Sequence, residues 1–216
     1  MKKIPTYTFD CSLPPERRWD ALPKYLRTAG RTLARRGVAD LAQYKGAVSL
    51  TGWMLRVLTK GRNPYRNEAK GAARVLGIDY NEAVALNFLY EASQAAGYGY
   101  RLWEGGLGDK LRGITATLKR HADRFSRGAL ACTAGARPIE GLGMVHVRTL
   151  DWPVDGLGRH ALILHHIHAP AGEYYSIGWP GYSGVLSGFK PGAFSATINQ
   201  ADVIRMPNLQ WPPAHL

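Results

Sequence analysis

Residues 130–151, with the sequence LACTAGARPIEGLGMVHVRTLD, determine how the second half of this chain folds. Two runs of small and β-branched residues flank a segment that contains Arg, Pro and Gly, and this pattern is typical of a β-hairpin. A hairpin centred on Glu140 would place Cys132 directly opposite Arg148. Because opposed Cβ atoms lie about 4.5–5.5 Å apart, the sequence predicts a thiol beside a guanidinium.

The rest of the chain after residue 130 also reads as short strands separated by Gly and Pro. Closely spaced strands with short connections favour an antiparallel sheet. We therefore predict about six strands, at residues 130–136, 144–150, 161–168, 173–177, 185–189 and 194–199.

The first 131 residues have a different residue pattern from the rest of the chain. This pattern predicts one short strand at Thr6–Asp10, followed by helices. Pro14-Pro15-Glu16 is typical of a helix start, since Pro fits a first turn that needs no N–H donor. Asp79 and Glu82 have the spacing of a capping box, which predicts a helix over 79–94. A further basic helix is expected over 110–125. The fold class is therefore α+β.

Composition limits the classes of function. The 216 residues are 45% hydrophobic and 20% charged, which is typical of a globular chain with one sizeable core. No apolar run is long enough to span a membrane. The net charge is +12, and all of the excess lies in residues 1–131. Such a surface attracts anionic membranes or nucleic acid, or is simply a solvated helical face. Because no nucleic-acid-binding motif accompanies it, we expect no nucleic-acid partner.

The two cysteines, Cys11 and Cys132, form neither a disulfide framework nor a CxxC metal pattern. A reducing compartment is the simpler interpretation, and the basic start at Lys2 and Lys3 is not followed by the apolar region of a secretory signal. We expect a cytoplasmic protein. His166 and His168 would share one strand face, as two zinc ligands do, but no third ligand is evident. We therefore predict no metal and no cofactor.

The predicted contact at Cys132 suggests a specific chemistry. A neighbouring guanidinium favours the thiolate, which is the nucleophilic form of cysteine. If the Ala131–Cys132 bond were cut, Cys132 would carry a free α-amine, and such amines have pKa values near about 7.7–8.0. That amine could act as the general base, and Asp151, just past the end of the partner strand, could orient it. The alternative is a buried structural cysteine.

Cys132-Thr133, Arg148 sixteen residues later and Asp151 three further on resemble the start of the β-subunit in acid ceramidase and N-acylethanolamine acid amidase. These are cysteine N-terminal-nucleophile (Ntn) hydrolases related to choloylglycine hydrolases. The resemblance extends in the family's order over most of the chain, through residues 7–10, 13–16, 18–19, 87–91, 146–152, 181–188, 191–192 and 194–199.

The resemblance implies an αββα Ntn-hydrolase fold, with an α-subunit-like region over 1–131 and the first part of the catalytic domain over 132–216. Cleavage between Ala131 and Cys132 would leave a heterodimer of the chain's own products. Cys132 would be the nucleophile and Arg148 and Asp151 its partners. Asn199 would donate a backbone N–H to the oxyanion hole. The family has a second such Asn further downstream, so the fold is expected to be incomplete at Leu216.

The expected substrate is a linear N-acyl lipid amide such as a ceramide or an N-acylethanolamine, cleaved through a thioester. A bile-salt or penicillin V type amide is the alternative substrate. A truncated, non-catalytic relative that binds lipid or a partner is the alternative function. Trp152, Trp179 and Tyr182 are candidates to bind the acyl chain, although packing within the sheet would explain the aromatic residues equally well.

Overall fold

The computed structural model describes residues 3–42, 65–87, 131–151 and 156–199, and these residues form an α+β protein. The chain divides into two compact units. Unit 1 comprises Met1–Leu89 and Val154–Ile198 among its segments, and unit 2 includes Tyr90–Pro153. The predicted boundary at residue 131 concerns cleavage products and stays a prediction.

The described helices and strands follow one another in the order strand, helices, hairpin and sheet. The helices are α1 (Lys24–Ala42), α2 (Arg66–Leu76) and α3 (Tyr80–Asn87), with short 3-10 turns at Pro15–Arg17 and Leu157–His160. The strands are β1 (Thr6–Asp10), β2 (Ala131–Ile139), β3 (Gly143–Asp151), β4 (Leu162–Ile167), β5 (Tyr174–Gly178), β6 (Ser187–Lys190) and β7 (Phe194–Thr197).

Unit 1 contains a five-stranded mixed sheet in the order β1-β4-β5-β6-β7. Strands β4 to β7 run antiparallel to their neighbours, as the short turns predicted. Strand β1 instead joins the edge of the sheet parallel to β4, with Thr6 opposite Ile163. The expectation of one antiparallel sheet was therefore wrong in two respects, because β2 and β3 form a separate two-stranded sheet.

The core of unit 1 lies between the sheet and the helices. Side chains alternate along β1 and β4, so that every second residue faces inwards. Each large side chain removed from water contributes about 1.5–3 kcal/mol to folding, which explains why so short an edge strand is retained. The buried cluster consists of Tyr7, Phe9, Trp19, Leu22, Leu26, Ala72, Val75, Leu76, Leu162 and Leu164.

The helix starts were predicted with mixed success. Pro15 begins only a single 3-10 turn, and the long helix starts later at Lys24, directly after Pro23, so the prediction of a helix at Pro15 was wrong in extent. The capping box is confirmed, because the Asp79 backbone N–H donates to Glu82 Oε2 at 2.9 Å. The predicted helical residues 88–94 and 110–125 lie outside the described residues. None of the described helices is both long and apolar enough to cross a bilayer.

Two buried polar side chains, Glu68 and Asn87, hold the helices of unit 1 to its loops. Arg18 donates to Glu68 Oε2 of α2 at 3.3 Å and to the carbonyls of Cys11 and Leu13 at 3.1 and 3.2 Å. Helix α2 also lies very close to the turn at Glu16, because Gly71 offers no side chain there. The helix and the turn are therefore fixed against each other by both charge and close packing.

The second of these groups is Asn87 at the end of α3. Its amide Nδ2 donates to the carbonyls of Ala83 at 2.8 Å and Gly181 at 3.0 Å. Its Oδ1 accepts the backbone N–H of Ser183 at 2.7 Å. Because Asn87 is 3% exposed, these bonds are shielded from water. Two sequence blocks that we singled out separately, 87–91 and 181–188, thus meet at this side chain.

Replacing Asn87 with Ala is expected to lower the free energy of unfolding by about 2–3 kcal/mol, because a buried N–H and a buried carbonyl lose their partners. Urea unfolding followed by circular dichroism measures the loss. The matched control is Asn67→Ala, since Asn67 is exposed on α2, and this substitution should leave the stability unchanged or slightly higher. Equal stability of the two variants would contradict the assigned role of Asn87.

Candidate functional site

The β2–β3 hairpin of unit 2 carries the predicted nucleophile. The strands pair antiparallel from Ala131↔Asp151 to Ile139↔Gly143. The backbone N–H of Leu142 donates to the carbonyl of Ile139 at 3.0 Å, which closes a turn centred on Gly141. Gly141 has φ 75°, a left-handed conformation that favours glycine. The predicted centre at Glu140 was therefore wrong, and each residue of β2 pairs two positions further along β3 than expected.

The predicted contact between the thiol and the guanidinium survives this change of register. Cys132 pairs with Leu150 rather than with Arg148, but a shift of two positions leaves every side chain on its original face. Arg148 is therefore the diagonal neighbour of Cys132, a separation that a long side chain can span. Its Nη2 donates to Cys132 Sγ at 3.4 Å. Cys132 and Arg148 are both half-buried.

The same register places the backbone of Asp151 at the predicted cleavage site. Asp151 pairs with Ala131, so it lies across the ladder from the residue that precedes Cys132. In the sequence argument, Asp151 was expected to lie near the nitrogen of residue 132. The role of its carboxylate at that nitrogen stays a prediction.

The other predicted site residues lie in different surroundings. Asn199 is exposed and follows the end of β7 by two residues. Trp179 and Tyr182 lie in unit 1 at 6% and 0% exposure, with their rings in edge contact at 5.4 Å. Trp179 also donates to the carbonyl of Leu157 at 3.2 Å. Their role in binding an acyl chain stays a prediction, and Trp152 lies outside the described residues.

Unit 1 contains a buried polar cluster that the sequence pattern did not predict. His166 Nε2 lies 2.8 Å from Ser176 Oγ, and the imidazole stacks on Tyr174 with ring centres 4.2 Å apart. Burial lowers the pKa of His166 to about 4 and raises the pKa of Tyr174 to about 12. Burial also raises the pKa of Glu68. The alternation of β4 places His166 on the same inward face as Leu162 and Leu164, and this pattern could have indicated a buried histidine.

The zinc arrangement considered for His166 and His168 does not form in the described part of the chain. His168 has φ 55° just after β4 ends, and it is exposed beside Asp10 at 2.9 Å. His166 instead faces Ser176 in the core. The described residues contain no group of three side chains able to hold a metal ion.

Within unit 2, the hairpin brings the half-buried thiol of Cys132 against the guanidinium of Arg148. The backbone of Ala131, which precedes Cys132, pairs with that of Asp151. Cysteine sulfur is a potential nucleophile, and here a hydrogen-bond donor lies beside it. Comparison of the sequence with models of known protein families and with curated proteins found no match.

Proposed function

We propose that the chain is an autoprocessing cysteine amidohydrolase of the Ntn type, with Cys132 as its nucleophile. The single observation that carries the proposal is the 3.4 Å contact between Arg148 Nη2 and Cys132 Sγ. This contact holds a hydrogen-bond donor directly beside the atom that would attack the carbonyl carbon. The αββα fold of the acid ceramidase-like enzymes is part of the same proposal.

Self-cleavage is the first proposed step. The Cys132 sulfur attacks the carbonyl carbon of Ala131, and the C–N bond breaks as the nitrogen takes up a proton and becomes the α-amine of Cys132. Water then hydrolyses the resulting thioester and leaves Ala131 with a carboxylate. Asp151, whose backbone pairs with that of Ala131, would orient the new amine, as the resemblance implies.

Turnover of a substrate repeats this chemistry on an external amide. The α-amine takes the proton of the thiol, the thiolate attacks the substrate carbonyl, and the amine returns the proton to the departing nitrogen. Water hydrolyses the acyl thioester and regenerates the thiol. Asn199 would donate its backbone N–H to the oxyanion, an interaction worth about 2.7–4 kcal/mol in comparable sites.

The proposed substrate is an N-acyl lipid amide, and the basic character of residues 1–131 supports this choice. The net charge of +12 lies in that part of the chain, and a cationic surface increases the local concentration of anionic lipid at low salt. The two cleavage products would remain associated, because β1 pairs with β4 and the core includes residues from both sides of Cys132.

The proposal is tested by the intact mass of the purified chain. We expect two fragments, divided between Ala131 and Cys132, of which the second carries an N-terminal cysteine. A cyanobenzothiazole probe condenses with that 1,2-aminothiol and not with an internal cysteine. Incubation between pH 4.5 and 7 establishes whether acid promotes the cleavage. A chain that stays whole and unlabelled throughout would overturn the proposal and favour a non-catalytic, lipid-binding relative.

A matched pair of variants tests the role of the guanidinium. Arg148→Gln should slow the appearance of the fragments by about 10–100-fold, since a hydrogen bond to a charged group is worth about 1.5–3 kcal/mol. Arg137→Gln is the control, because Arg137 lies exposed in the same hairpin. Equal cleavage rates for the two variants would show that the contact between Arg148 and Cys132 does not contribute to cleavage.

A further inference from the structure

His166 is enclosed by groups from the two neighbouring strands, β1 and β5. It lies within β4 at 5% exposure, between the ring of Tyr174 at 4.2 Å and that of Phe9 at 5.1 Å. Ser176 contacts Nε2. The other ring nitrogen, Nδ1, is buried and has no hydrogen-bond partner among the described residues. Only the neutral imidazole fits these surroundings, because an imidazolium needs an acceptor at both nitrogens.

Electrostatic interactions with nearby side chains also oppose protonation of His166. Arg18, from the turn after β1, and His165, its neighbour in β4, both disfavour a positive charge on the ring. Glu68 of α2 offsets the charge of Arg18 at neutral pH. Because burial raises the pKa of Glu68, this carboxylate is neutralised at less acid pH than an exposed one. Acid therefore neutralises the Glu68 carboxylate and protonates the His166 ring within one cluster.

We propose that His166, Ser176, Tyr174 and Phe9 form an acid-sensitive latch, which holds β1 on the sheet at neutral pH and releases it in acid. Phe9 is the connection, since it contacts both His166 and Trp19 and belongs to β1 itself. A protonated ring leaves this apolar stack for water, and the edge strand then loses the packing of Phe9 on His166. The latch does not depend on Cys132 or on any hydrolytic activity.

The direction of the pH dependence follows from the pKa of His166. This pKa is 6.5 in the unfolded chain and about 4 in the folded protein, so the released state binds the additional proton. The latch is therefore fully closed above pH 6.5, and it loses strength as the pH falls from 6.5 to 4. A single proton changes the opening equilibrium by up to about tenfold per pH unit, or on the order of 100-fold over this interval.

Hydrogen exchange on the full-length chain tests the proposal. After correction for intrinsic exchange rates, the protection of β1 amides should fall on the order of 100-fold between pH 7 and pH 4, whereas α3 amides should change far less. His166→Gln keeps a polar partner for Ser176 but cannot titrate, so its β1 protection should vary only a few-fold. His165→Gln is the control, because it removes a neighbouring imidazole but leaves His166 able to titrate, so its β1 protection should still fall in acid.

Three outcomes would overturn the latch. These are pH-independent protection of β1 in the wild type, an equal loss of protection in β1 and α3, and a loss of the pH response in His165→Gln. If His166→Gln fails to fold, an NMR titration of the His166 ring in the wild type decides the matter. A midpoint below about 5 supports the latch, whereas a midpoint near the ordinary value of about 6.5 contradicts it.

Discussion

Replacing Cys132 with Ala is expected to abolish both self-cleavage and amide hydrolysis. Alanine offers neither a nucleophile for the bond after Ala131 nor a sulfur for the Arg148 guanidinium to stabilise. Removal of the nucleophile from an enzyme that uses covalent catalysis costs at least about 10⁴-fold in rate. Intact mass should show only the full-length chain, and release of fatty acid from an N-acylethanolamine should fall to background.

Cys11→Ala is the matched control for the thiol chemistry. Cys11 is also half-buried, and its sulfur lies 3.9 Å from the carbonyl oxygen of Phe9. Burial raises the pKa of the Cys11 thiol, so it remains protonated and unreactive at neutral pH. Cleavage and turnover should both persist in Cys11→Ala. If Cys132→Ala still cleaved itself, or if Cys11→Ala lost activity while remaining folded, the nucleophile would have been misassigned.

Replacing Gly71 with Ala is expected to give the largest loss of stability in unit 1. A Cβ atom at this position would lie 2.2 Å from the carbonyl oxygen of Glu16 and 2.6 Å from its carbonyl carbon. Both atoms belong to the backbone, so no side-chain rotation relieves the overlap. We expect a loss of about 3 kcal/mol or more, which lowers Tm by about 10 °C in a chain of this size.

The expected loss of stability in Gly71→Ala is opposite in sign to the effect of helix propensity. Helix propensity alone favours Ala over Gly by about 1 kcal/mol, so without the close approach to Glu16 the substitution would stabilise α2. Gly158→Ala is the control, because a Cβ there meets nothing within 4 Å. Thermal unfolding followed by circular dichroism should separate the two variants clearly. A Tm for Gly71→Ala equal to or above that of the wild type would contradict the packing of α2 on the turn at Glu16.

Local patterns in the sequence were sufficient to predict the individual strands. Alternation along β4 and the turn residues beside β6 and β7 predicted those strands to within about two residues, which is the usual uncertainty of element boundaries. The contact between Cys132 and Arg148 was also predicted, since the alternation of side chains in a strand is preserved by the two-residue error in register. The error itself arose because the conformation of Gly141 fixes the turn, and a count of residues does not reveal it.

The pairing of strands that are distant in the sequence could not be predicted from local patterns. Nothing in Thr6–Asp10 specifies that β1 pairs with β4 or that the pairing is parallel, because both follow from how the helices cover the inner face. The position of Pro23 rather than Pro15 at the start of the long helix likewise depends on Trp19 being buried in the core. The role of His166 required the positions of Phe9 and Tyr174, which belong to two other strands.

The parallel pairing of β1 with β4 also constrains the order of events during synthesis. Asp10 contacts His168, a residue 158 positions later, so β1 is synthesised long before the strand with which it pairs. At about 5–20 residues per second, translation leaves that strand waiting for about 8–30 s. Throughout this delay its Tyr7 and Phe9 side chains are open to chaperones or to aggregation. A backbone cut before residue 132 could therefore yield the paired strands only if it came after folding.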